Sequence, residues 1–561
     1  MLFRAAAVLA LMAVGLAADA AGFKLVDPPK GPVYRAWPST PPKGCPFAQS
    51  KEFAGVAFTG VHAEYTGADT WLPSWASDGN LYSPWADGNV NGVSIFAGGP
   101  GAATGYARIV GDDPLNLQVV ESGTCKADPG PYGGRYPAAN LVYNGVWYYG
   151  THCELDGGRR LNWDILGPFV GSRWSTDYGK TWNDTPHTPE KPIFGEPGRV
   201  GGKVKFGTPF YLDFGKNMEH SPDGKAYLVG HGALATAPHP RFAHLSWCTA
   251  DGVYLARVTP SIKNINDATK YEFFAGRDSA DRDLWSQGLA DAKPIAEWPN
   301  NMGYVTMTYD APLAKYIMCV TDGGNTISKF NTYIMESDRA TGPWKLITYM
   351  RDFGEQAYCV NVPSKFIAPD GRSMWLMYSA NFMGSYRGNR LKSKPAGSSY
   401  AMCLQKIRLL TPEEVAASAN RTEVNVAPEA MITVSSTHQY FRPTGMVDGV
   451  VDPGCGIGAE WATDGEYNTA TARLTWNEPQ LVDRVRLYDL PNLIDQVTGA
   501  TLVLSTGLSI PIGELPNDAK KGVEIGFPAC KIDWLMVVIT KARTSTRNIG
   551  LSEIEALRAR H

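Results

Sequence analysis

The sequence predicts an all-β protein, a five-bladed β-propeller followed by a β-sandwich. Three observations predict it. Strand-turn-strand units recur between about residues 52 and 410: NLVYNGVWYYGTH (140–152), GKAYLVGHGA (224–233), GYVTMTYDAPLAKYIMCVTDG (303–323) and RSMWLMYSANF (372–382). Each sets apolar or alternating runs around a turn, as propeller blades do, and about five such units fit the length. Ser175-Thr176-Asp177-Tyr178-Gly179-Lys180-Thr181-Trp182 matches the S-x-D-x-G-x-T-W turn found between propeller strands. From Asn425 the pattern changes to short alternating strands over about 130 residues, which reads as a sandwich.

Composition agrees. The 561 residues hold 59 glycines, 16 tryptophans and 26 tyrosines, with few long amphipathic stretches. A formal charge of −3 argues against a nucleic-acid or acidic-membrane partner. Residues 1–20 carry one arginine, an apolar run and Ala18-Asp19-Ala20, the pattern of a secretory signal peptide. The remainder is expected to be secreted, extracellular or periplasmic, and to work as a monomer without a membrane span. Nine cysteines suit an oxidising compartment, with Cys455 and Cys530 as a candidate disulfide within the last domain. Asn183-Asp184-Thr185 and Asn420-Arg421-Thr422 are glycosylation sequons.

In chain order, residues 21–50 are a proline-rich arm expected to pack on the surface. Residues 51–410 form the propeller, 411–424 a short helix and linker, and 425–561 the sandwich. The stretch from Tyr65 to Gly92 is the most informative. It holds three tryptophans, two tyrosines and three aspartates, with no lysine or arginine. Ser77-Asp78-Gly79 is a three-residue hairpin loop with glycine in the left-handed position. Ala76 then faces Asn80, and counting outward sets Asp69 opposite Asp87. Cross-strand partners have Cβ atoms roughly 4.5–5.5 Å apart, so the two carboxylates would not both ionise easily. One would hold a proton while the other stays charged, the pairing that glycosidic cleavage needs. A carboxyl separation of about 5–5.5 Å implies retention of configuration, and about 6.5–9.5 Å inversion. A loop one residue longer or shorter would put the pair on opposite faces.

Other candidates follow from residue type. Trp71, Trp75 and Trp85 would stack on sugar rings, although tryptophans in propeller strands are more often core. The loop from His152 through Glu154 to Arg160 gathers an imidazole, carboxylates and guanidiniums after a strong strand, and Asp164 follows it. His220 and His231 bracket a hairpin and would reach the axis, unless they are hydrogen-bonded structural histidines. Glu355 precedes a late strand as a third site carboxylate. Asp177 satisfies its own turn, which makes it structural. No Ser-His-Asp order, phosphate loop or metal cluster stands out, so no cofactor is expected; a structural calcium is compatible with either domain.

Two resemblances add to this reading. Asn425-Val426-Ala427-Pro428, Val447-Asp448-Gly449, Trp461 and Leu551-Ser552-Glu553-Ile554 resemble the marks of the discoidin, or coagulation-factor type C, jelly-roll of the galactose-binding kind. Residues 55–385 resemble a five-bladed family, long a domain of unknown function, that includes bacterial endo-D-arabinanases. The matching pieces are Gly60-Val61, Ala68-Asp69-Thr70, Gly79-Asn80-Leu81-Tyr82, Trp85-Ala86-Asp87, the 175–182 turn, Val253–Val258, Tyr271–Gly276 and Thr341-Gly342-Pro343-Trp344. That resemblance implies catalysis by Asp69 and Asp87. Trp85-Ala86 stands where relatives tend to have Phe-Gly, and Asn300-Asn301-Met302 where they often have an acid, which weakens arabinan as the implied substrate. The expectation is a secreted glycoside hydrolase acting on a polysaccharide, with a glycan-binding module. A non-catalytic glycan-binding or adhesion protein is the alternative. A sialidase would want three clustered arginines, and only Arg159-Arg160 are adjacent.

Overall fold

In the computed structural model the chain is described over residues 23–28, 35–155, 163, 165–196, 204–236, 246–323, 329–382, 394–419, 423–451 and 460–559. The leader, Cys455, Arg159, Arg160, Asp164 and the Asn420 sequon lie outside them. The chain divides into two compact units, Val33–Arg421 and Met1–Pro32 with Thr422–His561.

The first unit is a five-bladed β-propeller. Blade 1 runs Gly67–Asp69, Leu81–Val90, Ala103–Val110 and Gln118–Lys126 outward from the axis. Blade 2 is Gly134–Tyr143, Val146–Leu155 and Ile165–Ser175. Blade 3 starts at Phe210–Tyr211 and continues through Ala226–Gly232 and Ala250–Val258; blade 4 starts at Val305–Asp310. Blade 5 is Tyr358–Asn361, Ser373–Ser379 and Met402–Leu410, and its outer strand is Gly55–Tyr65 from the beginning of the chain. This pairing of early and late strands closes the circle.

The innermost strands are also tied to one another around the axis. Asn140 Nδ2 of blade 2 donates to the Leu72 and Tyr82 carbonyls of blade 1 at 2.6 and 2.8 Å. Ala139 N donates to Pro209 O at 2.7 Å, and Asp213 N to Met307 O at 3.0 Å. Thr306 and Thr308 hydroxyls donate to Val360 and Val362 carbonyls, both at 2.6 Å. Asn361 Nδ2 returns to Trp71 O at 3.2 Å, completing the circuit. Buried backbone carbonyls left unpaired would each cost about 1–3 kcal/mol, so these polar side chains belong on the axis. Asn140, Asp213, Thr306, Thr308 and Asn361 line a small axial cavity of about 30 Å³.

The 175–182 turn is structural, as its sequence implies. Ser175 Oγ accepts from Gly179 N at 2.8 Å, and Asp177 accepts from the Thr181 backbone and hydroxyl at 2.9 and 2.7 Å. These bonds hold the Asp177 carboxyl down at about 2. Trp182 packs edge-on against Tyr106, Trp147 and Tyr149.

The early arm departs from expectation. Residues 35–50 lie along blades 4 and 5 through bridges at Ala36, Ser39 and Gln49. Phe23–Val26 instead joins the second unit as a strand paired with Gly522–Ile525. Val26–Phe23 is apolar and alternating, so it takes an edge rather than a surface coat. The 411–424 segment forms the helix Pro412–Ala419, capped by Thr411 and Glu414 reciprocally, a T-x-x-E capping box. The second unit is sandwich-like, with Thr471–Tyr488 and Gly522–Ala542 paired along most of their lengths over a core that includes Leu474, Val485, Leu502, Ile525 and Leu535. Asn425 Oδ1 accepts from Ala427 N and Ala556 N, and Glu553 Oε2 from Gly449 N, which gives the family-like residues a tethering role. All eight cysteines among the described residues are free thiols, most of them buried, so the expected disulfide framework does not appear there. No described helix is long and apolar enough to cross a bilayer.

Burial raises several carboxyls, and three of them reach about 7 or 8. Asp310 is fully buried with Oδ2 unpartnered, and burial pushes it up to about 7. Burial also lifts Glu196 to about 7 and Asp489 to about 8. A carboxyl raised in the folded state stabilises fully below its unfolded pKa, near 4, and loses that contribution as pH climbs through the folded value. The thermal midpoint should therefore fall between pH 5 and 8, and Asp310→Asn should shrink the fall in a calorimetric pH series. An unchanged slope would mean Asp310 is ionised in the fold.

Candidate functional site

The hairpin of blade 1 has the expected loop. Gly79 sits at φ 89°, Gly79 N donates to Ala76 O, and Ala76 N donates to Asn80 O, each at 3.0 Å. Asp78 stays in the turn, accepting from Asn80 N and the Tyr82 hydroxyl. The expected register holds near the loop (Trp75↔Leu81) and at the far end (Ala68↔Gly88). Between them it breaks: Asp69 pairs with Ala86, and Asp87 is the extra residue of a β-bulge. This corrects the direct Asp69–Asp87 pairing. Asp87 has φ 33°, and Gly88 has φ 121° with space for no Cβ, since one would lie 2.0 Å from Gly67 O. Bulges re-aim a side chain beside a site, and here the glycine permits it.

The bulge does not separate the two acids electrostatically. Asp69 is buried, accepting from the Tyr358 hydroxyl at 2.6 Å and the Thr70 hydroxyl at 3.0 Å. Burial raises its carboxyl well above the usual range, the nearby Asp87 charge raises it further, and the Tyr358, Thr70 and Tyr400 hydroxyls offset part of this. A protonated carboxyl keeps acceptor capacity for such hydroxyls. Asp87 is partly exposed and accepts from Ala97 N at 2.6 Å. Burial lifts it to about 6, against the Ala97 bond, with Glu154 adding to the rise. Asp69 is thus the proton holder and Asp87 the acid that ionises first.

Around them gather groups from distant parts of the chain. Tyr358 and Tyr400 flank Asp69, and the Tyr400 hydroxyl donates to the Asp87 carbonyl at 3.0 Å. The Tyr136 hydroxyl is buried without a partner, and its ionisation is opposed by Asp87, Glu154 and Asp69. Tyr304 interacts with Cys359, Glu154 and Asp69. Thr70, Asp87 and Cys359 all hold positive φ (61°, 33° and 52°), a cluster of strained non-glycine backbone typical of functional sites.

His152 and Glu154 are buried on one strand face, with His152 Nε2 and Glu154 Oε1 2.9 Å apart. Burial drives His152 down to about 3 and Glu154 well above its usual range. Both directions favour the neutral forms, in which the contact is a hydrogen bond rather than an ion pair. His231 is buried with Nε2 3.1 Å from Ser246 O, and its ring centroid is 6.3 Å from that of Tyr304. It sits beside the cluster as a hydrogen-bonded histidine.

Three expectations are corrected. Trp71 and Trp85 have no exposed surface; Trp71 donates to Ala68 O at 2.8 Å, and Trp85 packs on Gly105. They belong to the blade 1 core, and Trp75 is partly buried against the same cluster with its indole nitrogen enclosed. None offers a stacking face like that expected. His220 is exposed, 3.9 Å from Glu219, and packs on Tyr309 away from the acids. Glu355 is paired with Lys329 at 2.9 Å. Among the described residues no three His, Cys, Asp or Glu side chains gather as metal ligands.

A family model described as a domain of unknown function (DUF7402) matches residues 425–557. No curated protein matches the chain. Among solved structures, one titled "Glycoside hydrolase" is 11% identical, covering 89% of this chain and 99% of its own, with a TM-score of 0.28. A histidine mutant of the lectin binding domain of lectinolysin complexed with Lewis b is 23% identical over 24% of this chain and 96% of its own, TM-score 0.21. The family 32 carbohydrate-binding module of C. perfringens NanJ with galactose is 9% identical over 24% and 99%, TM-score 0.21. Likenesses this weak leave the chemistry to the residues themselves.

The neutral reading of His152–Glu154 has a direct check. Glu154→Gln keeps a donor for the imidazole and should cost little stability. Glu154→Leu leaves a buried nitrogen unpaired and should cost about 1–3 kcal/mol in denaturant unfolding. Equal, large losses of about 3–5 kcal/mol in both would instead indicate a charged pair.

Proposed function

We propose that this chain is a glycoside hydrolase exported from the cell, cleaving a polysaccharide at the axial site of its propeller while the C-terminal unit binds glycan. The observation that carries the reading is the split acid pair: Asp69 buried and holding its proton, Asp87 partly exposed and lifted only to about 6. Such a split assigns opposite roles to two carboxyls at one pH. Asp69 protonates the leaving glycosidic oxygen. Asp87, ionised, acts on the opposite side as base toward water or as nucleophile at the anomeric carbon. The phenols of Tyr136, Tyr358 and Tyr400 supply hydroxyls to sugar oxygens or to the acids. The resemblance of the first-blade aspartates to those of the arabinanase family supports a furanoside-containing glycan as the substrate class, with the departures at Trp85-Ala86 and Asn300-Asn301-Met302 weighing against arabinan itself.

Activity requires Asp87 without a proton and Asp69 with one. It should fall as pH drops through about 6, where Asp87 is protonated, and fall again at higher pH as Asp69 ionises. A kcat/KM profile without the acidic limb would remove Asp87 from the base role.

The broader test is a polysaccharide panel run with the wild type, Asp69→Asn and Asp87→Asn. Each variant should keep its thermal midpoint and lose product formation by about 10²–10⁴-fold, the range for general acid–base groups. Wild-type rates in either variant would exclude that residue. A wild type that binds glycans and releases no product from any of them would favour the adhesin.

A further inference from the structure

The buried tryptophans leave the acid pair without the stacking surface expected for it, and a different pair of rings supplies one. Phe96 is 56% exposed, the only phenylalanine, tyrosine or tryptophan so open to solvent among the described residues of the propeller unit. It directly precedes Ala97, whose N–H holds Asp87 Oδ1 at 2.6 Å. Trp163 is partly exposed and lies beside it: a Cβ on Gly98 would meet Phe96 Cε1 at 2.9 Å and Trp163 Cζ2 at 3.0 Å. Gly133 is bare under the same indole, where a Cβ would lie 2.6 Å from Trp163 Cζ3. Trp163 also meets Tyr136 edge-on, ring centroids 5.8 Å apart. Two glycines therefore keep the backbone flat beneath an aromatic surface that continues into the site through Tyr136 and Ala97. Water-exposed aromatic area is costly to maintain unless something covers it, and the C–H face of a sugar ring is a fitting cover.

We propose that Phe96 and Trp163 form the platform that seats a sugar ring of the substrate next to Asp87. This rests on the hydrolase reading, and it names the residues that hold the glycan where Trp71, Trp75 and Trp85 do not. The occupant is a neutral furanose or pyranose ring with an apolar face, one unit of a polymer whose adjoining bond reaches the acids. The platform carries no charge of its own, so it does not select anionic sugars.

The test uses the full chain, with debranched arabinan as probe. Affinity electrophoresis compares Asp87→Asn with Asp87→Asn/Phe96→Ala and Asp87→Asn/Trp163→Ala. Each added substitution should weaken retardation by about three- to tenfold in apparent affinity, the scale of one aromatic contact, while Trp163→Phe should keep most of it. In the active background KM should rise by a similar factor, with kcat changed less. Binding by the C-terminal unit is common to all variants and cancels in the comparison. Calorimetry confirms folding, which an exposed side chain such as Phe96 hardly influences. Equal mobility and equal KM in parent and variants would overturn the platform. Failure of the hydrolase reading shows separately, as a wild type that releases no product from the probe while its retardation still depends on Phe96 and Trp163.

Discussion

The site depends on a polar seam, the circuit of hydrogen bonds that joins the five innermost strands. A propeller's inner strand has a sheet neighbour on its outer side only, so its inward carbonyls need partners across the axis. Asn140, Thr306, Thr308 and Asn361 provide them, each bonding the blade next door. Burial, more than the neighbouring Asp87 charge, is what raises Asp69. Asp69 stands two residues before Trp71, whose carbonyl takes the Asn361 bond, so the seam and the acid share one stretch of backbone.

The bulge at Asp87 gives the two carboxyls different surroundings. Had the hairpin kept a uniform register, both carboxyls would occupy equivalent positions on one face. Removing Asp87 from the ladder leaves it partly exposed and bound to Ala97 N, while Asp69 remains enclosed among hydroxyls. Two aspartates on adjacent strands thereby acquire different environments, and environment is what divides an acid from a base. The strain at Thr70, Asp87 and Cys359 is consistent with backbone held by its surroundings for this purpose.

Much of this was legible in the sequence, and the failures have physical causes. The blades announced themselves through alternation and turn residues, and the loop Ser77-Asp78-Gly79 fell where its glycine put it. The count from that loop led to Asp69 and Asp87 as a cross-strand pair, whereas the fold pairs Asp69 with Ala86 and sets Asp87 out of the ladder. Asp87-Gly88 was the unread signal, because a glycine inside a strand often marks a bulge. The tryptophans misled because size and aromaticity suit a core as well as a cleft, and only the fold decides between them. Tyr358 and Tyr400 lie roughly three hundred positions from Asp69, and a lone tyrosine has no local pattern that points to a distant carboxyl. The cysteines suggested an oxidised framework, but each free thiol in the propeller sits where an apolar side chain would serve.

The remaining question is why so many groups around the acids are neutral. Burial holds His152 down to about 3 and raises Glu154 well above its usual range, so both groups beside Asp87 are pushed toward their neutral forms. A third carboxylate or an imidazolium at that depth would shift both aspartates and blur their division. The enclosed His152–Glu154 contact, 2.9 Å, keeps both groups partnered without a neighbouring cation. Asp69, His152 and Glu154, all buried, are the groups pushed toward neutrality, while the partly exposed Asp87 is lifted only to about 6, so the division between neutral and charged groups follows burial.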